Sequence, residues 1–219
     1  MDPKDFVKSL AEENQALLDR LSRTAVLTGG LAAPLSIANL LKMALKNEIE
    51  ATDLAAAWIA TTPEIDVKLG FARQVADESR HYQEIDRRLR ALGVDAAGFD
   101  PLAEGYSPLT KHLLALEGTV ERVAAGQFTR EAIALVKNEA FIAYCKEQGD
   151  AETARLYEET IQPDERFHHE LGRKLLEKHA TTQESQERAR AASRRVLELA
   201  EELTNLVREK KGVHHAPGC

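Results

Sequence analysis

Residues 77–81 read Asp-Glu-Ser-Arg-His (DESRH) and residues 164–168 read Asp-Glu-Arg-Phe-His (DERFH). Positions three apart share one face of a helix, so Glu78 points with His81 and Glu165 with His168. Each element has a matching stretch upstream: LKNE at 45–48 and VKNE at 136–139. Glu48 lies 30 residues before Glu78, and Glu139 lies 26 before Glu165. The difference of four is about one helical turn, which a shorter second hairpin absorbs. Each half therefore reads as an antiparallel helix pair, with one Glu on the first helix and Glu-x-x-His on the second.

The surroundings of the two upstream glutamates sharpen the reading. Glu48 lies in a stripe with Leu41, Ala44, Leu45, Ala51, Thr52, Ala55 and Ile59, and Glu139 lies with Ala132, Leu135, Val136, Ile142 and Ala143. A carboxylate on a core face is expensive unless a counter-charge neutralises it. Four carboxylates and two imidazoles converging from four helices call for two divalent metal ions. Glu50 is an alternative to Glu48 on a more mixed face. His169 is an alternative to His168 that breaks the parallel with His81, and Glu131 is the weaker substitute for Glu139. Glu84, Glu147, Glu158 and Glu159 read as solvated surface.

Composition sets the frame. The 219 residues are 43% hydrophobic and 30% charged, with a formal net charge of -7. That suits one cored domain with interspersed charge and argues against a broad basic face for nucleic acid. The two cysteines, Cys145 and Cys219, form no Cys-x-x-Cys, so a rubredoxin-type iron site is absent and free thiols in a reducing cytoplasm are expected. The opening MDPKDFVKSLAEE lacks the apolar core of a signal peptide. The uncharged run TAVLTGGLAAPLSIANLL (24–41) is broken by Gly29, Gly30 and Pro34 and carries Asn39. It reads as a buried turn leading into a core helix and not as a membrane span.

Helix formers dominate and β-branched runs are scarce, so the expected fold is all-α. Helices are expected over 3–23, Pro34–Thr61, from Pro63 to about Leu92 with Thr62 capping, and Pro108–Ala125. Gly126 is then a break, followed by helices from Thr129 to Gln148, from the GD turn (149–150) to His179 with a bend near Pro163, and from about 183 to 211. Residues 93–108, punctuated by Gly and Pro, form a long crossover between the halves. Val196, Leu199, Leu203 and Leu206 suit docking of the last helix on its own domain, with a partner helix as the alternative. The tail GVHHAPGC reads as loose.

Taken together, these motifs resemble the ferritin-like, rubrerythrin-like di-iron carboxylate superfamily over roughly residues 34–179. DESRH looks like the Asp-Glu-x-Arg-His form of oxygen-activating di-iron hydroxylases, whereas the second element has Phe167 where the first has Arg80. The resemblance implies a four-helix bundle with a long crossover and accessory helices at 3–23 and 183–211, forming one domain over 1–219. It implies two iron ions, or manganese, bridged by Glu78 and Glu165. Glu48 with His81 would terminate one ion, and Glu139 with His168 the other. Asp77 and Asp164 would accept hydrogen bonds from the ligating imidazoles.

Three functions compete. The first is an oxygen-dependent di-iron oxidase or hydroxylase acting on a small organic substrate, favoured by the Arg-containing motif, the crossover and the terminal helices. The second is a rubrerythrin- or ferritin-like peroxidase or ferroxidase. The third is a non-enzymatic interaction protein that docks through residues 183–211. Ala44, Ala51, Ala55 and Ala143 either leave space for O₂ or substrate or allow close helix packing. Tyr82 and Tyr144 are either redox partners or ordinary core residues. A homodimer suits a chain with such terminal helices.

Overall fold

The computed structural model describes residues 1–24, 36–94, 98–211 and 217–218, the side chains of residues 22–24 and 206–211 excepted. All regular structure among these residues is helical. Helix α1 spans Pro3–Thr24, α2 Ile37–Thr61, α3 Ile65–Ala91 and α4 Pro108–Leu114. Helix α5 is composite: an α segment Thr119–Val123, a π segment Ala124–Arg130 and an α segment Glu131–Glu147. Helix α6 repeats the pattern with Ala151–Leu156, a π segment Tyr157–Ile161 and Gln162–His179, and α7 spans Gln183–Lys211.

Local chemistry explains several boundaries. Ser36 accepts the Asn39 amide at 3.2 Å to start α2, and Asp150 accepts the Thr153 amide at 3.0 Å to start α6. Thr182 and Ser185 each accept the other's amide at 3.1 Å, a reciprocal cap that opens α7. Gly93 (φ 77°) and Gly149 (φ 78°) adopt the left-handed conformation that closes α3 and α5. Most of the uncharged run is outside the described residues, since 25–35, with Gly29, Gly30 and Pro34, are not among them.

Three boundaries differ from expectation. Thr62 does not cap α3: it is buried, and its hydroxyl accepts Arg122 Nη1 at 3.1 Å. The helix expected over Pro108–Ala125 is two helices, because the chain turns after Leu114 and restarts at Thr119. Arg122 Nε fastens that corner by donating to the Leu116 carbonyl at 2.9 Å. Gly126, expected as a break, lies inside α5, where a Cβ would sit 2.8 Å from Trp58 Cζ3. The glycine is there to admit an indole ring, not to turn the chain.

Two apolar layers bracket the middle of the bundle. One joins Leu40, Leu41 and Leu45 of α2 to Ile85 and Leu89 of α3, Phe141 of α5 and Tyr157 of α6. The other joins Leu54 and Trp58 of α2 to Phe71 of α3, Phe128 and Ile133 of α5 and Leu176 of α6. Helix α1 adds Phe6 and Leu10 to the second layer and α7 adds Val196 and Leu199, so α7 docks on its own chain. A polar seam backs this docking. Thr129 accepts Asn14 Nδ2 at 3.1 Å, its hydroxyl lies 2.6 Å from Ser193 Oγ, and Ser193 donates to the Ala124 carbonyl at 3.2 Å. No helix among the described residues is long and apolar enough to cross a membrane.

Candidate metal centre

Between the two layers lies a cluster of ionisable side chains. Glu48 comes from α2, Glu78 and His81 from α3, Glu131 from α5, and Glu165 and His168 from α6. All six are buried, at 2% exposure or less. They form two overlapping groups: Glu48, Glu78, His81 and Glu165, and Glu78, Glu131, Glu165 and His168. Within each group one ligand atom per residue lies within 4.8 Å of the others. Glu78 and Glu165 belong to both groups and thus occupy the middle.

Five of the six residues expected at the site are brought together here; Glu139 is not. It is exposed, on a shallow cavity between α1 and α5, and Glu131 takes its place. The reason is hairpin geometry. In an antiparallel pair, residues at one level are equidistant from the turn. The midpoint of Glu48 and Glu78 is residue 63, inside the α2–α3 turn. The midpoint of Glu131 and Glu165 is residue 148, at the α5–α6 turn, whereas that of Glu139 and Glu165 is residue 152, inside α6. The second hairpin is longer than the first by four residues, about half a turn in each arm, not shorter. The GD turn at 149–150 is the sequence signal that sets Glu131, the weaker alternative, level with Glu165.

The imidazoles are fixed by carboxylates from opposite helices. His81 on α3 has its Nε2 3.1 Å from Asp164 Oδ2 on α6, and His168 on α6 has its Nε2 3.1 Å from Asp77 Oδ2 on α3. A carboxylate there requires Nε2 to carry the proton, so Nδ1 faces the cluster. His81 Nδ1 lies 3.2 Å from Glu78 and 3.5 Å from Glu48. His168 Nδ1 lies 3.5 Å from Glu165 and 3.7 Å from Glu78. Arg80 ties Asp164 to Asp77, donating to both. Arg73 pairs with Asp77 at 2.5 Å and stacks its guanidinium 5.1 Å from the ring centre of Phe167, which accounts for an aromatic residue in the second motif.

Further residues shape the cluster without having been expected there. Gln74, one turn before Glu78, donates to Glu131 at 2.5 Å and to Glu78 at 3.3 Å. Arg130, buried beside Glu131, donates to it at 3.4 Å. Tyr157, fully buried in the α6 π segment, packs edge-on against Phe141 and leaves its hydroxyl without a partner. Tyr82 and Tyr144 are half-buried against the apolar layer that contains Phe141 and Tyr157. The two rejected alternatives have other tasks. Glu50 accepts the Ser107 amide at 2.6 Å and the Thr110 hydroxyl at 2.6 Å, anchoring α4. His169 Nδ1 donates to the Phe128 carbonyl at 2.7 Å, satisfying a backbone group of the α5 π segment.

The electrostatics state the problem that this arrangement poses. Removing a carboxylate from water carries a penalty of several kcal/mol. Four such penalties rival the roughly 5–15 kcal/mol that hold a whole domain together. Without cations, protons must do the work. Burial pushes Glu48 up to about 7, and burial, with the charges of Glu78 and Glu131, holds Glu165 well above the carboxylate range. Burial acts against charge on the imidazoles, but Asp77 and Glu165 outweigh it and hold His168 up at about 11, while Asp164, Glu48 and Glu78 do the same for His81. Burial also acts to raise Glu78, yet His81 and His168 keep it below its ordinary value.

The donor set fits a pair of divalent ions. Glu165 Oε2 and His168 Nδ1 are buried, have no hydrogen-bond partner and stand 3.5 Å apart. Oxygen- and nitrogen-to-metal distances near 2 Å would let one ion join them with small adjustments. No family model matches this chain, and no curated protein or solved structure matches it.

Proposed function

We propose that this protein is a di-metal carboxylate oxidoreductase that uses O₂ to oxidise a small organic substrate, built on a ferritin-like bundle. The observation that carries the reading is the crossed pair of Asp–His hydrogen bonds, which turns two Nδ1 lone pairs onto four buried carboxylates. Glu78 and Glu165 would be shared between the ions, with Glu48 and His81 completing one site and Glu131 and His168 the other. Two iron ions, or manganese in their place, would supply electrons for reducing O₂ or peroxide. The chain's own part is to hold the ligands in place. Asp77 and Asp164 fix the imidazole tautomers, Gln74 and Arg130 orient Glu131, and the apolar layers keep out water.

One observation favours a second reading, a peroxidase or ferroxidase. The space bounded by Glu48, Glu78, Arg130, Glu131 and Glu165 has no room for a water-sized sphere, whereas ordinary organic-ligand sites begin at ~300 Å³. Ala44, Ala51 and Ala55 are buried in close helix packing, and Ala143 is exposed. Elemental analysis of protein purified without chelator tests the common premise, with about two metals per chain expected. His81→Ala and His168→Ala should both deplete them; metal content near zero, or unaffected by both changes, rejects the site. Oxygen uptake with organic product then supports the first reading, and peroxide loss without such product the second.

A further inference from the structure

The repeated Lys-Asn-Glu stretches contribute more than Glu48. Asn47 Nδ2 donates to the Pro217 carbonyl at 2.8 Å, and Asn138 Oδ1 accepts the Gly218 amide at 2.8 Å. The carbonyl and the amide belong to one peptide group, the Pro217–Gly218 bond. The two motif asparagines, one from α2 and one from α5, thus grip a single peptide unit from both sides. Pro217 and Gly218 are both buried.

Gly218 borders the cavity over the carboxylates, alongside Asn47, Glu48, Glu78, Arg130, Glu131 and Glu165. Its φ of +80° is open to glycine and strained for other residues. A Cβ would stand 3.1 Å from Asn47 Cβ and 3.6 Å from Glu48 Oε1. The tail expected to be loose is, at these two residues, packed into the bundle. Asn138 is itself fully buried, and its Nδ2 has no partner. An amide side chain desolvated to that degree needs a return, and the grip on Gly218 provides it.

We propose that Pro217–Gly218 is a removable plug over the acidic cluster, held by Asn47 and Asn138, and that its release opens the way for ions and substrate. This rests on the metal reading above and explains how a cavity too small for an organic molecule serves one: the space beside the ligands is filled by the chain's own peptide group. A site reached only when a local segment opens binds and releases at a rate scaled by the open fraction.

The test compares the wild-type chain with Gly218→Val and Asn138→Ala. Stopped-flow mixing with Co(II) alone and stripping by EDTA give entry and exit rates, and hydrogen exchange reports protection of the peptide containing Gly218. In Gly218→Val both rates should rise about tenfold or more at unchanged stoichiometry, because a β-branched residue at positive φ cannot hold the plug in place. In Asn138→Ala the Gly218 amide should lose its protection, and circular dichroism should confirm that the bundle remains folded. Equal Co(II) rates in all three proteins, or a Gly218 amide already unprotected in the wild type, would overturn the plug. If wild type takes up no Co(II), the metal reading fails, and the exchange measurement alone decides whether the segment is seated.

Discussion

Asp164 Oδ2 on α6 lies 3.1 Å from His81 Nε2 on α3, and the mirror contact from Asp77 to His168 has the same length. Each Asp-Glu-x-x-His motif therefore serves the other: its Glu and His face the cluster while its Asp orients the imidazole across the bundle. Asp164→Asn keeps the size of the side chain and removes the charge that holds the His81 proton on Nε2. Metal affinity should fall by about 10–100-fold, the usual effect of losing such a partner. Competition against a chelating dye measures it. Unchanged affinity in both Asp164→Asn and Asp77→Asn would show that the crossed pairs are merely structural.

Glu131 and Glu139 offer a sharper discrimination, since both are carboxylates on α5, eight residues apart. Glu131 is buried in the cluster, and Glu139 is exposed. Glu131→Gln should lower the metal content from about two toward one per chain, because only the second group contains it. Glu139→Gln should leave the content unchanged. The reverse result, measured by elemental analysis, would restore the equivalence of the two Lys-Asn-Glu stretches.

Much of the arrangement was legible because Glu-x-x-His spacing and helix periodicity are local. Glu78, His81, Glu165 and His168 follow from a three-residue interval, and Gly93, Gly149 and Asp150 mark helix ends by their own chemistry. What was hidden depends on partners distant in sequence. Gly126 reads as a break until Trp58 is placed against it, and the corner at 115–118 depends on Arg122 reaching Thr62 and Leu116. The level of Glu131 relative to Glu165 depends on where the chain reverses. The seating of Pro217–Gly218 has no local signal, because its two hydrogen-bond partners are 170 and 80 residues away.

Protons and metal ions compete for the same atoms, and this fixes the sign of a pH dependence. Burial raises Glu48 to about 7 from its ordinary 4.5, and the carboxylates around His168 overcome burial to raise it to about 11 from 6.5. Groups raised on folding stabilise fully below their unfolded values, and that stabilisation is lost as pH rises through the folded ones. Metal-free protein should therefore lose thermal stability from about pH 5 to pH 8 as Glu48 ionises among other carboxylates. Divalent ions, by displacing those protons, should bind more tightly over the same range. Melting temperatures with and without EDTA across this window check both trends. A metal-free protein whose stability rises toward pH 8 would contradict the assigned proton distribution.

Gly172 tests the rigidity on which the site depends. A Cβ added there would stand 2.8 Å from the backbone carbon of Gln127 and 2.8 Å from the backbone nitrogen of Phe128. Both atoms belong to the π segment that leads directly into Arg130 and Glu131. Backbone in a packed helix does not yield as a side-chain tip does, so Gly172→Ala must push α6 away from α5. Overpacking of this kind costs about 1–3 kcal/mol, or some 2–4 °C per kcal/mol in melting temperature for a chain of this size. Gly70 provides the control: its added Cβ would meet Leu171 Cδ2 at 3.1 Å and Gln127 Nε2 at 3.3 Å, both ends of flexible side chains. Gly70→Ala should therefore destabilise less than Gly172→Ala. Because α6 carries Glu165 and His168 and α5 carries Glu131, Gly172→Ala should also weaken the second metal more than the first. Equal melting temperatures for the two variants would mean that the α5–α6 contact is softer than its close backbone approach implies.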